Sequence, residues 1–73
     1  MNDQDKLDYL YNFERIFAER CKAAGIDYTR WAQGMWTNAH MSYGMNEPVH
    51  QGADKWFAHV QNQTNRAKLV DKR

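Results

Sequence analysis

Seventy-three residues, 42% of them hydrophobic and 26% charged, have room for one small folded core and exclude a second domain. Ten Lys and Arg against nine Asp and Glu leave a net charge of +1, without the positive field that a phosphate-tracking protein uses. A lone cysteine, Cys21, excludes an intrachain disulfide and a thiolate zinc cluster, so stability must come from packing by Trp31, Trp36, Trp56 and seven Tyr and Phe.

The opening MNDQDKLD is acidic and polar where a signal peptide would be basic and then apolar, and no run approaches the roughly 20 apolar residues of a membrane span. A cytoplasmic protein with no membrane partner is expected. From Asp5 to Ala24, Leu7, Leu10, Phe13 or Phe17, Cys21 and Ala24 recur at intervals of three and four, which predicts a long amphipathic helix. Asn2, Asp3 and Asp5 are its capping candidates. Gly25 marks its end as a left-handed C-cap, with Ile26 behind it to pack on the last turn.

Asp27 predicts the N-cap of a second helix through Tyr28 and Gln33, with Trp31 and Met35 on one face; Gly34 weakens it or ends it early. Asn38 to Met45 has weak helical character with Ala39 and Met41 inward. Gly44, Asn46, Pro48 and Gly52 then predict a loop from Tyr43 to Ala53. A last helix is expected from Asp54, placing Trp56, Val60 and Ala67 on one side and closing at Leu69 and Val70. Its middle, Gln61 to Asn65, is poor helix material, and a strand over Lys55 to Val60 is the alternative. The expectation is an all-α domain of three to four helices over residues 1–73, with a helix-turn-helix-like hairpin and a core centred on Phe13, Phe17, Trp31 and Trp56. Residues 66–73 read as a flexible basic tail carrying Arg66, Lys68, Lys72 and Arg73, opposite the acidic Asp3, Asp5 and Asp8. The helix macrodipole alone would select that asymmetry.

The chemistry-bearing patterns are few. His40, His50 and His59 are too widely spaced to share a helix face, no carboxylates stand at ligand spacing, and Ser42 has no nucleophile motif around it. No metal, cofactor, small-molecule substrate or enzymatic activity is expected. Met35, Trp36, Met41, Tyr43, Met45, Trp56 and Phe57 are more large apolar groups than one short core needs, which points to a protein interface with Trp36 and Met35 among its contacts.

The stretch Arg20 to Gly34 is the informative one. Gly25 ends a helix, Ile26 anchors the turn, and Trp31 falls five residues later, where a second helix packs back on the first. With Cys21 as the small residue at the crossing, the string AAGIDYTRWAQG resembles the helix-turn-helix of phage repressor-like proteins. A recognition helix there would present Tyr28, Thr29, Arg30 and Gln33 to base edges, Arg30 suiting guanine and Gln33 adenine. Asp27 at the same helix mouth, with only Arg20 and Lys22 to join Arg30 on phosphates, makes any DNA contact weak. Over its whole length, and especially in MNDQDKLDYLYNFERIF and AAGIDYTRW, the chain resembles the small transcription regulators of phages such as those infecting Xanthomonas. That resemblance implies a regulator that binds bacterial RNA polymerase and inhibits initiation by protein–protein contacts. An operator-reading DNA-binding protein, or a phage inhibitor of another host complex, is the alternative.

Overall fold

A computed structural model describes residues 3–71 of the chain, with side chains through Ala67. Three α-helices and one 3-10 turn follow one another: α1 over Asp3–Ala24, the 3-10 turn over Tyr28–Trp31, α2 over Ala32–Gly44 and α3 over Val49–Asp71. No strand occurs among the described residues, so the all-α expectation holds and the strand over Lys55 to Val60 is excluded.

The first turn forms as the sequence predicts. Gly25 takes φ +72, Ile26 N donates to Cys21 O at 2.8 Å and Gly25 N to Lys22 O at 3.3 Å, a Schellman closure of α1. Asp27 then caps the 3-10 turn, accepting from Thr29 N at 3.1 Å and from Thr29 Oγ1 at 2.6 Å. The expected second helix is therefore divided, its first four residues in the tighter 3-10 form and α2 beginning at Ala32.

Beyond Trp31 the structure differs from what the sequence predicts. Gly34 does not stop α2, which runs on through the segment read as weakly helical and ends at Gly44. The loop expected over Tyr43 to Ala53 shrinks to residues 45–48. Asn46 at φ 60 replaces glycine as the left-handed residue, with Glu47 N bonding Ser42 O and Asn46 N bonding Tyr43 O, both at 3.0 Å. Pro48 opens α3, its carbonyl accepting from Gly52 N at 3.1 Å, where a missing N–H costs nothing. Gln61 to Asn65 stays helical, and α3 continues through Arg66 to Asp71. The expected tail is thus helical to Asp71; residues 72 and 73, and the side chain of Lys68, lie outside what is described.

Side-chain contacts fix the directions. Phe17 meets Trp56 and Phe57, and Phe13 lies against Gly52, so α1 and α3 run parallel. Gly34 faces Trp56 and Ser42 faces Gly52, so α2 runs opposite to both. The long axis of 51 Å exceeds either long helix, about 33 and 35 Å at 1.5 Å per residue. The two are therefore staggered lengthwise. One end of the molecule gathers the start of α1, the end of α2 and the start of α3: Tyr9 stands edge-on to Tyr43 with ring centroids 5.4 Å apart, and its hydroxyl donates to Glu47 O at 2.7 Å.

The core comprises Leu10, Phe13, Ile16, Phe17 and Cys21 of α1, Met35 and Ala39 of α2, and Ala53 and Val60 of α3. Both Phe13 and Phe17 are fully buried. Trp31 and Trp56 are only half-buried at its edge, so the expected centre shifts to the two Phe with Met35 and Val60. Leu7, Ala24 and Met41, expected inward, are exposed: α1 begins before α3 has come alongside, and Met41 sits beyond the α2 stripe of Met35, Ala39 and Ser42.

Candidate functional site

Two helices with the same spacing build a cleft between α2 and α3. Positions 38, 41 and 42 of α2 with its C-cap Met45, and positions 52, 55, 56 and 59 of α3, are each an i, i+3, i+4, i+7 set, which places four residues on one face. Facing one another, they enclose about 440 Å³. Ser42 and Gly52 form the floor, Met41 and Met45 one wall, Trp56 and His59 the other, and Glu47 closes the end.

Trp56 is the hub of that wall. Its ring tilts against Phe17 at 6.1 Å, stands edge-on to Trp31 at 6.3 Å and carries the exposed His59 ring stacked at 5.3 Å. Its Nε1 is buried and donates to nothing among the described residues, an unmet donor of the kind that native proteins rarely leave. Glu47, with its side chain 10% exposed, has Lys55 Nζ 2.7 Å from Oε1, while Lys55 itself is 66% exposed. The contact is an ion pair without hydrogen-bond alignment, since that buried oxygen accepts no well-directed N–H. The carboxylate lies inside and the ammonium outside, so the pair turns its positive end toward solvent.

Below the cleft, burial raises the Tyr9 hydroxyl above its ordinary pKa; a hydrogen bond with Ser42 opposes this and the Glu47 carboxylate adds to it. At the far end of the molecule, Asp27 is held below the usual carboxylate value, chiefly by its two hydrogen bonds from Thr29.

The residues expected to form a partner surface are scattered. Tyr28 is half-buried on the 3-10 turn, where with Ala18, Lys22 and Ile26 it borders a shallow hollow of about 400 Å³. Arg30 and Gln33 are exposed, one on the 3-10 turn and the other on α2. Trp36 is half-buried with Tyr11 edge-on at 6.3 Å, on the opposite side of α2 from the cleft. Met35 is fully buried and cannot meet a partner, a correction that follows from its place on the stripe facing Phe13 and Phe17. Arg66 is exposed near the end of α3. His40, His50 and His59 are all exposed on separate turns, and no group of three metal-binding side chains occurs among the described residues.

Met45 is one of the surplus apolar groups that the sequence offers for an interface, whereas Lys55 and His59 are not singled out there as contact residues. Their signal is the matched spacing of two helix faces, visible only once residues 43–53 are known to be helix, turn and helix. Among the described residues no helix is long and apolar enough to cross a membrane. Comparison with protein-family models, with curated proteins and with solved structures finds nothing that matches the chain.

Proposed function

We propose that the chain is a non-enzymatic transcription regulator that binds bacterial RNA polymerase and inhibits initiation through protein–protein contacts, with the α2–α3 cleft as its docking site. The observation that carries the docking part is the exposure of Met41 and Met45, 58% and 64%, along a concave cleft backed by Trp56. Methionine side chains re-form around a partner at little strain, and tryptophan concentrates binding energy at interface centres. The polymerase as target rests on the resemblance of MNDQDKLDYLYNFERIF and AAGIDYTRW to phage regulators.

Operator reading has less to stand on. Arg30 and Gln33 fall on two different elements, and the 3-10 turn is too short to serve as a recognition helix. The test is capture of purified bacterial RNA polymerase by the tagged chain, beside a Met41→Glu/Met45→Glu variant, with abortive initiation as the functional readout. Capture that resists moderate salt and is lost in the variant supports the reading. Duplex DNA binding with a steep salt dependence and no polymerase capture overturns it.

A further inference from the structure

We infer that His59 is a built-in lid on the α2–α3 cleft: its imidazole holds the place against Trp56 that an uncharged aromatic side chain of the target takes on docking, and the target displaces it. The inference rests on the reading of the cleft as a docking site and names the group that enters it. His59 stands one turn beyond Trp56 on α3, and the two rings lie stacked with centroids 5.3 Å apart and planes 21° from parallel. Phe17, Trp31 and Gly34 meet the indole elsewhere, so His59 is the ring it shares with the cleft wall. The imidazole fills this place without completing it: a stacked ring lies over a face of the indole, whereas the unmet Nε1 donor points along its plane.

The lid is loosely held. His59 is exposed, and among the described residues its ring makes no hydrogen bond or ion pair. An aromatic pair of this kind biases a side-chain equilibrium by only about two- to twelvefold. Rotation about the side-chain bonds of an exposed residue, on the picosecond to nanosecond scale, is enough to uncover Trp56 with no change in the helices.

The lining selects the planar group that replaces the imidazole. Met41 and Met45 form the wall facing Trp56, and thioether sulfur packs favourably on aromatic rings. Lys55 and Glu47 neutralise one another, and the remaining lining residues Asn38, Ser42 and Gly52 carry no charge. A guanidinium entering there meets no free carboxylate, and a carboxylate meets no free cation. The ring of a Phe, Tyr or Trp on the target is the group that fits, held between the methionines and the indole.

The test compares the parent chain with His59→Ala, which removes the lid, and His59→Trp, which enlarges it, each checked for retained helicity by circular dichroism. The probe is p-cresol, the tyrosine side chain as a free molecule, with methylguanidinium as the charged planar control. Binding is read from the indole N–H resonance that Trp56→Phe removes. His59→Ala is expected to bind p-cresol about two- to twelvefold more tightly than the parent, and His59→Trp more weakly, while methylguanidinium binds none of the three. Capture of purified RNA polymerase should follow the same order. Equal binding of p-cresol by all three chains, no shift of the Trp56 resonance in any, or a preference for methylguanidinium would each overturn the inference. Polymerase capture that is unchanged in His59→Ala overturns it too, as does capture that is lost there, since His59 would then be a contact and not a lid. If no chain captures polymerase, the docking function falls and the p-cresol order alone decides the lid.

Discussion

Gly34 of α2 lies flat against the indole of Trp56 in α3, so close that a Cβ at position 34 would stand 2.9 Å from both Cη2 and Cζ2. Glycine ordinarily weakens a helix by about 1 kcal/mol relative to alanine. Here that loss accompanies a close helix approach that brings Trp56 over Phe17 and shapes the cleft. Gly52 does the same from the other helix, since a Cβ there would meet Ser42 Oγ at 2.7 Å and Phe13 Cε2 at 3.2 Å.

Alanine at these two sites is therefore expected to destabilise the chain, against helix propensity, by about 1 to 3 kcal/mol through overpacking. Gly44→Ala is the internal control, because nothing lies within 4 Å of a Cβ there and it ends α2 without a positive φ. It should be neutral or gain up to about 1 kcal/mol. Thermal unfolding of the three variants checks the sign: at roughly 4 to 8 °C per kcal/mol for a domain this size, the glycines should separate clearly. Equal effects at all three positions would mean that Gly34 and Gly52 are not sites of close approach.

These same glycines explain where sequence and structure part. The α1 stripe from Leu10 to Cys21, the turn at Gly25 and a cap at Asp27 depend on interactions within a few residues and were legible, whereas the outer stripe positions Leu7 and Ala24 and the 3-10 form of the capped turn were not. Gly34, Gly44, Gly52 and Pro48 carry local propensities against helix, and tertiary contact overrode them at Gly34 and Gly52 while Pro48 simply fell at a helix start. Asn46 hid the true end of α2, because asparagine takes the left-handed conformation less often than glycine and signals it weakly. The candidate cleft was illegible for that reason. Met41 is read as inward when α2 is taken for a frayed turn, and Lys55 and His59 have no partners until α3 begins at Val49.

Tyr9 ties α1 to the loop that follows α2, and its raised pKa makes that tie sensitive to alkali. The folded value lies above the unfolded 10.0, chiefly through burial. The associated stability is thus fully present below pH 10 and is lost as pH rises through the folded value. Tyr9→Phe should remove the hydrogen bond to Glu47 O, at a cost of about 0.5 to 1.5 kcal/mol at neutral pH. It should also flatten the alkaline limb of a stability profile between neutrality and pH 11. An unchanged alkaline limb would show that another group governs it.

Asp27 contributes to the acid limb from the opposite end. Its pKa is lowered by the Thr29 side-chain and backbone hydrogen bonds, so its contribution is present above the unfolded 3.8 and disappears as pH falls through the lower folded value. Asp27→Ala should lower stability at neutral pH and lessen its decline below pH 4, whereas Asp27→Asn retains an acceptor for Thr29 N and loses the pH dependence alone. Urea titrations at pH 7 and pH 3 distinguish the two variants.

Cys21 reports on the whole assembly because its thiol is fully buried, has a pKa pushed up by that burial, and offers its backbone carbonyl to Ile26 N in the turn closed by Gly25. A thiol so placed reacts with an alkylating reagent only when the fold opens. In the native chain, iodoacetamide labelling at pH 8 should be slower than that of a free cysteine by orders of magnitude and should track the unfolding equilibrium. Gly25→Ala forces an alanine into φ +72, at a cost of about 1 to 2 kcal/mol. That variant should label roughly five- to thirtyfold faster if opening is global, by the factor of ten per 1.4 kcal/mol. Phe17→Ala, which removes a fully buried ring, should cost about 3 to 5 kcal/mol. A chain of this length has about 4 to 11 kcal/mol in total by the usual stability per residue. Its labelling should therefore rise by roughly 10²- to 10⁴-fold, while that of Trp31→Ala, at the half-buried edge, should fall between the two. Rapid labelling of the unsubstituted chain would place Cys21 outside the core and undo the packing of α1 on α2 and α3 described above.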